Sequence, residues 1–101
     1  MAQIQISTPF LRSITHLPDA SVGTTKSLIL SAPTNISEKR IVVIVQNKSS
    51  TVTIQVIGNA NDSIGLAVPP LGSIKLDNYN GLLYAVSTAA GTPVHIAYAS
   101  V

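Results

Sequence analysis

From Arg40 to Ser100 the chain keeps one rhythm. Short β-branched or apolar runs (RIVVIVQ, TVTIQVIG, IGLAV, SIKL, LLYAVS, VHIAYAS) are separated by NKSS, NANDS, PPLG, DNYNG and TAAGTP. Each run has the length of a strand, and each separator carries the Gly, Pro, Asn, Asp or Ser chemistry of a turn. No stretch in this half leaves room for a helix. Within TVTIQVIG, Val52, Ile54 and Val56 alternate with Thr51, Thr53 and Gln55, the period of a strand with one buried face. RIVVIV lacks alternation, which predicts a central strand covered on both faces. The expected core is Ile41, Val43, Val45, Val52, Ile54, Val56, Leu76, Leu83 and Ile96.

The separators specify how the runs join. Pro69 and Pro70 cannot donate ladder hydrogen bonds, so a strand ends there, and Gly72 is the expected φ > 0 residue of the following turn. In Asp77-Asn78-Tyr79-Asn80-Gly81 the Asn-Gly pair is a strong hairpin signal. A meander of short antiparallel strands follows, and with it an all-β fold: a small antiparallel β-sandwich or partly closed barrel. One core is all that 101 residues can build.

Residues 1–39 are different. AQIQIS alternates like an edge strand and KSLILS is a second candidate strand, but TPFLRSITHLPDASVGTT between them is broken by prolines. Phe10, Leu11, Ile14 and Leu17 make this stretch too apolar for a simple disordered tail, and the reading is an extended arm that finds order on a partner. The division is an N-terminal arm over residues 1–25 and a β-sandwich domain over residues 26–101. Ile4, Ile6, Phe10, Leu11 and Arg12 of the arm, with Tyr79 at a turn tip, are the candidate partner contacts.

Charge limits the functional classes. Asp, Glu, Lys and Arg make up 10% of the residues, against about 25% in ordinary soluble domains. A surface so poor in charge is explained if partners cover much of it. The formal charge of +2 comes from scattered cations, without the clustered basic stripe and stacking aromatics of nucleic-acid binding. There is no cysteine, which removes disulfides and thiolate chemistry and fits synthesis in a reducing cytosol. The longest apolar run, Ile41 to Val45, is far short of the ~20 residues that span a bilayer, and the expectation is a soluble, unexported protein with no membrane partner.

Catalysis has little to work with. The histidines are His16 and His95 and the acids Asp19, Glu38, Asp62 and Asp77, with no Gly-x-Ser-x-Gly elbow around any serine. His95 reads as an outward or edge position in a strand. Two histidines without a spaced partner make a poor metal site, and Asp62 alone is poor provision for calcium. The expectation is a non-enzyme with no metal and no cofactor. Tyr84 reads as core or interface filler.

The run of motifs from residue 40 resembles a small β-domain that recurs in structural proteins of tailed bacteriophages. The features are an Asn-x-Ser turn at Asn47 to Ser49, a strand ending at Gly58, a Pro-x-Gly turn at Pro70 to Gly72 and an L-D-x-x-x-G turn at Leu76 to Gly81. LYA at Leu83 to Ala85 and a last apolar strand at Val94 to Ala97 complete it. The resemblance covers about the last 60 residues. It implies a virion structural protein, closest to a head decoration (cement) protein that sits on the capsid surface, is made in the host cytoplasm and bridges major capsid protein subunits. A homotrimer is expected, because decoration over three-fold points would match that symmetry. The alternatives are a neck or tail structural module, or a glycan- or receptor-binding β-module of a virion.

Overall fold

The structure is a computed structural model and describes residues 14–34 and 39–100. The described residues form nine strands and no helix: β1 (Ile14–His16), β2 (Ala20–Val22), β3 (Ser27–Leu30), β4 (Arg40–Asn47), β5 (Ile54–Ile57), β6 (Leu66–Val68), β7 (Ser73–Asp77), β8 (Leu83–Ser87) and β9 (Thr92–Ser100). They make two antiparallel sheets packed as a small β-sandwich. In one sheet β9 and β4 are central, β7 is one edge, and β1 and β2 lie along the other edge of β9. The second sheet runs β3-β8-β5-β6.

The strands arise where the period-2 runs stand, but they are not joined as a meander. Only β5 and β6 among the strands from β4 onward are sequence neighbours that pair with each other. The PPLG turn carries the chain from β6 in one sheet to β7 in the other, and the Asp77 to Gly81 turn carries it back to β8. The Asn-Gly signal therefore does not produce a hairpin. The inward residues of β7 and β8 are needed on opposite walls of one core, and burial overrides a local turn preference. The left-handed residue of the PPLG turn is Leu71 (φ 61), not Gly72, and the turn closes with Gly72 N–H donating to Pro69 O at 2.9 Å.

The core lies between the sheets. Val43, Val45, Val94 and Ile96 meet Ile54, Val56, Val68, Leu83 and Ala85 across it, each large aliphatic contributing roughly 1.5–3 kcal/mol by burial. Six of the nine expected core residues are buried: Val43, Val45, Ile54, Val56, Leu83 and Ile96. The other three are half-buried for visible reasons. Ile41 sits at an irregularity of β4, Val52 precedes β5 in a loop, and Leu76 is on edge strand β7. β4 is central, as its sequence suggests, yet one face is left open: Val43 and Val45 point into the core, so Val42 and Ile44 point outward and are only half-buried.

The arm boundary also moves. Ile14 to Val22, assigned to the arm by sequence, pair along β9, and Val22 is fully buried in the core. This stretch is an edge strand interrupted at Leu17-Pro18-Asp19, where proline cannot continue the ladder. β4 occupies one edge of β9, and the two pieces of this stretch occupy the other. AQIQIS and the rest of residues 1–13 lie outside the described residues.

One end of β4 is tied by a buried side chain. Asn47 Nδ2 donates to Val52 O (2.7 Å), Val68 O (3.1 Å) and Pro69 O (3.2 Å), while its Oδ1 accepts from Ser49 N–H (3.0 Å). One asparagine thereby closes the NKSS turn and docks the PPLG turn beside it.

Candidate functional site

Two surfaces carry the side chains that chemistry or recognition could use, and both belong to the sheet of β9 and β4. The first is a polar chain at one end of its outer face. His16 on β1 and His95 on β9 are 79 positions apart, yet His16 Nδ1 lies 2.9 Å from His95 Nε2, and the rings stack with centroids 5.1 Å apart. His95 Nδ1 faces Asp19 Oδ1 at 2.7 Å, and Asp19 Oδ2 accepts from Lys48 Nζ at 2.6 Å. The order is His16, His95, Asp19, Lys48. Pairing of β1 with β9 brings the imidazoles together, and the break at Pro18 turns Asp19 toward them.

The electrostatics follow from this order. Lys48, and after it His95, hold the Asp19 carboxyl below the ordinary carboxylate range by hydrogen bonding to the charged form. Asp19 Oδ1 can only accept, so the 2.7 Å contact suits an N–H on His95 Nδ1. The arrangement orients imidazoles. It presents no activated nucleophile, because among the described residues the imidazole hydrogen bonds run to each other and to Asp19. The described residues also hold no group of three or more His, Cys, Asp or Glu side chains placed for a metal ion.

The second surface is apolar. On the outer face Val42 stands between Ala99 and Asp77, and Ile44 between Ala97 and Lys75, while Ile14 and His16 flank the two alanines from β1. Ile14, Ala99, Val42, Ala97 and Ile44 thus form a continuous stripe, bordered by Lys75 and Asp77 on one side and the histidine chain at one end. Ile14 is 54% exposed. Ala97 and Ala99 are themselves buried, at 6% and 1% exposure, and Val42 and Ile44 are half-buried, so the accessible apolar surface of this patch is Ile14 with parts of Val42 and Ile44.

The residues singled out by sequence fare differently. Ile4, Ile6, Phe10, Leu11 and Arg12 lie outside the described residues. Tyr79 does not stand out at its turn tip: it is half-buried against the core, and its hydroxyl donates to Leu82 O. The hydroxyl also lies 3.3 Å from where a Cβ on Gly58 would be and 2.6 Å from one on Gly81, so both glycines make room for the ring. Burial raises the Tyr79 pKa above its ordinary value. Tyr84 lies on the outer face of the other sheet, with Lys26 Nζ 5.2 Å from its ring centroid. Lys26 also donates to Ala60 O and Asp62 O, both at 2.7 Å, so an ammonium already sits on carbonyls that a cation would need. Asn59 Oδ1 caps the same loop by accepting from Asn61 and Asp62 N–H, an ordinary Asx turn.

Sequence reasoning missed the joining of His95 to Asp19. The residues are 76 positions apart, and only the pairing of the first strands with the last reveals it. Comparison with family models, curated proteins and solved structures finds no match for this chain.

Proposed function

We propose that the chain is a virion structural protein, a capsid decoration protein that stabilises the head by bridging major capsid protein subunits. The observation that carries this reading is the apolar patch of exposed Ile14 and half-buried Val42 and Ile44, set around Ala97 and Ala99 on the outer face of the β9–β4 sheet. It agrees with a chain of which only 10% is charged, since a covered face needs no charge to keep it soluble. The turn pattern shared with phage β-domains points to the same setting. Strengthening a shell requires a rigid body and many modest contacts that add through multivalency, and it requires no active site. The stripe also suits a homotrimer, in which each copy covers part of its neighbour's face. A standard interface buries about 1,200–2,000 Å² in total, a large fraction of so small a body.

Copy number on purified particles tests the reading. A decoration protein is expected in numbers comparable to the major shell protein, and a few copies per particle would instead support the neck, tail or receptor-module alternatives. Ile44→Lys puts a charge into this patch without touching the core. It is expected to keep the melting temperature and lose particle binding, and sedimentation of the same variant reads the trimer. Deleting residues 1–13 tests the arm, with a folded protein of weaker particle binding as the expected result.

A further inference from the structure

We propose that the cavity between the edge strand β3 and Leu17, which follows β1, is a carboxylate-binding site anchored by Arg40, and that it takes an acidic side chain of a partner protein. The cavity measures about 360 Å³ and is lined by Leu17, Leu28, Ser31, Pro33, Arg40 and Tyr98 among others. Alternation along β4 would send Arg40 outward with Val42 and Ile44. Instead the register with β9 shifts between Arg40 and Val42, and Arg40 is only 5% exposed, with its guanidinium 4.8 Å from the ring centroid of Tyr98. An irregularity at Ile41 re-aims the side chain inward. A second register shift, between Leu28 and Leu30 on β3, forms the facing wall. Bulges that converge on one cavity re-aim side chains there, as they do beside binding sites.

Among the described residues the guanidinium is oriented but not neutralised. Nη1 donates to Gly81 O at 3.2 Å and Nη2 to Ser31 O at 2.7 Å, while the buried Nε has no partner. Among the described residues, no carboxylate lies within ion-pair distance of Arg40. A guanidinium has five N–H donors in a planar fork that matches a carboxylate, and here most are unspent. Among the described residues this buried cation is held by carbonyls and an aromatic face and has no anion. Leucine and proline walls suit the aliphatic stem of a glutamate. Leu28 is 50% exposed and exposed Lys39 adds a second positive charge next to Arg40 in the chain, so an acidic side chain with apolar neighbours complements the site. The assignment to a partner protein rests on the decoration reading, whereas the carboxylate chemistry does not.

The test uses the isolated protein first. Butyrate reproduces a glutamate side chain from its Cα outward, and butyramide is its uncharged counterpart. In an NMR titration, butyrate is expected to shift the Arg40 Nε–H and Tyr98 ring resonances saturably, with no response to butyramide and none in Arg40→Met, whose remaining spectrum reports that it is folded. Equal responses to both ligands, or none, would overturn the site. So would a Glu38→Gln variant that by itself moves the Arg40 resonances as butyrate does, since the anion would then be the chain's own. On particles, Arg40→Met is expected to lower occupancy at least tenfold. Full occupancy alongside intact butyrate binding by the wild type overturns the partner assignment. Absence of the protein from particles defeats the decoration reading and leaves the butyrate result standing.

Discussion

The two ends of β4 are both polar and both buried, and they are buried in opposite ways. Asn47, fully inaccessible, spends its amide on three carbonyls and its oxygen on an amide N–H. Arg40, at the other end, brings a full charge inside, binds two carbonyls and leaves Nε without a partner. A buried polar group that is satisfied locks the backbone around it, while one that is not marks a place where something else belongs. The first end is therefore structural and the second is available for recognition.

Substitution should separate them sharply. Asn47→Ala removes the donor to Val52, Val68 and Pro69 and strands those carbonyls at the junction of two turns. We expect a loss of about 3 kcal/mol, since each abandoned buried group costs about 1–3 kcal/mol, read by denaturant unfolding. Arg40→Met exchanges a buried charge for an apolar side chain of similar reach, and such exchanges are often neutral or stabilising. We expect a change within about 1 kcal/mol in either direction. An Arg40→Met loss as large as that of Asn47→Ala would erase the distinction.

The contrast also marks how far the residues alone can be read. Strand positions from β3 to β9 were legible because alternation and turn residues are local properties. The sheet to which each strand belongs was not, because PPLG and DNYNG look like hairpin turns until the core claims β7 and β8 for opposite walls. Asn47 was legible as a turn residue but not as the hub of two turns, since Val68 and Pro69 are more than twenty positions away. Arg40 gave no signal at all: in RIVVIVQ it occupies an outward position, and only the register shift against β9 turns it inward. The histidine chain depended on pairing between the first strands and the last, in a stretch whose prolines read as an arm.

The PPLG turn docked by Asn47 offers a finer comparison. Leu71 is 66% exposed and holds φ 61, a conformation that costs a non-glycine residue roughly 1–2 kcal/mol. Its N–H donates to Ser49 O at 2.9 Å, so the backbone is pinned there by the same loop that Asn47 closes. Leu71→Gly relieves the strain and gives back part of the gain through the freer unfolded chain. A net stabilisation of about 0.5 kcal/mol is expected in thermal or denaturant melts, with Leu71→Ala close to neutral because alanine keeps the Cβ. If Leu71→Gly destabilises instead, the leucine side chain has a packing role that its exposure conceals.

The smallest effect belongs to the exposed end of the same sheet, where Asp19 joins Lys48 and His95. Its folded pKa lies below the ordinary value, through Lys48 first and His95 second. A depressed carboxylate contributes stability that is fully present above the unfolded value of about 3.9 and is lost as pH falls through the lower folded value. Wild type should therefore melt slightly higher than Asp19→Asn at about pH 7, and the difference should shrink as the pH falls below about 3.9. The pair with Lys48 is solvent-exposed, with side chains 45% and 40% accessible, so screening keeps the effect small and added salt should shrink it further. This is the opposite of the Asn47 result, where burial makes the loss large and indifferent to pH. If the Asp19→Asn difference persisted unchanged in acid, the aspartate would be holding the β1–β2 edge by geometry and not by charge.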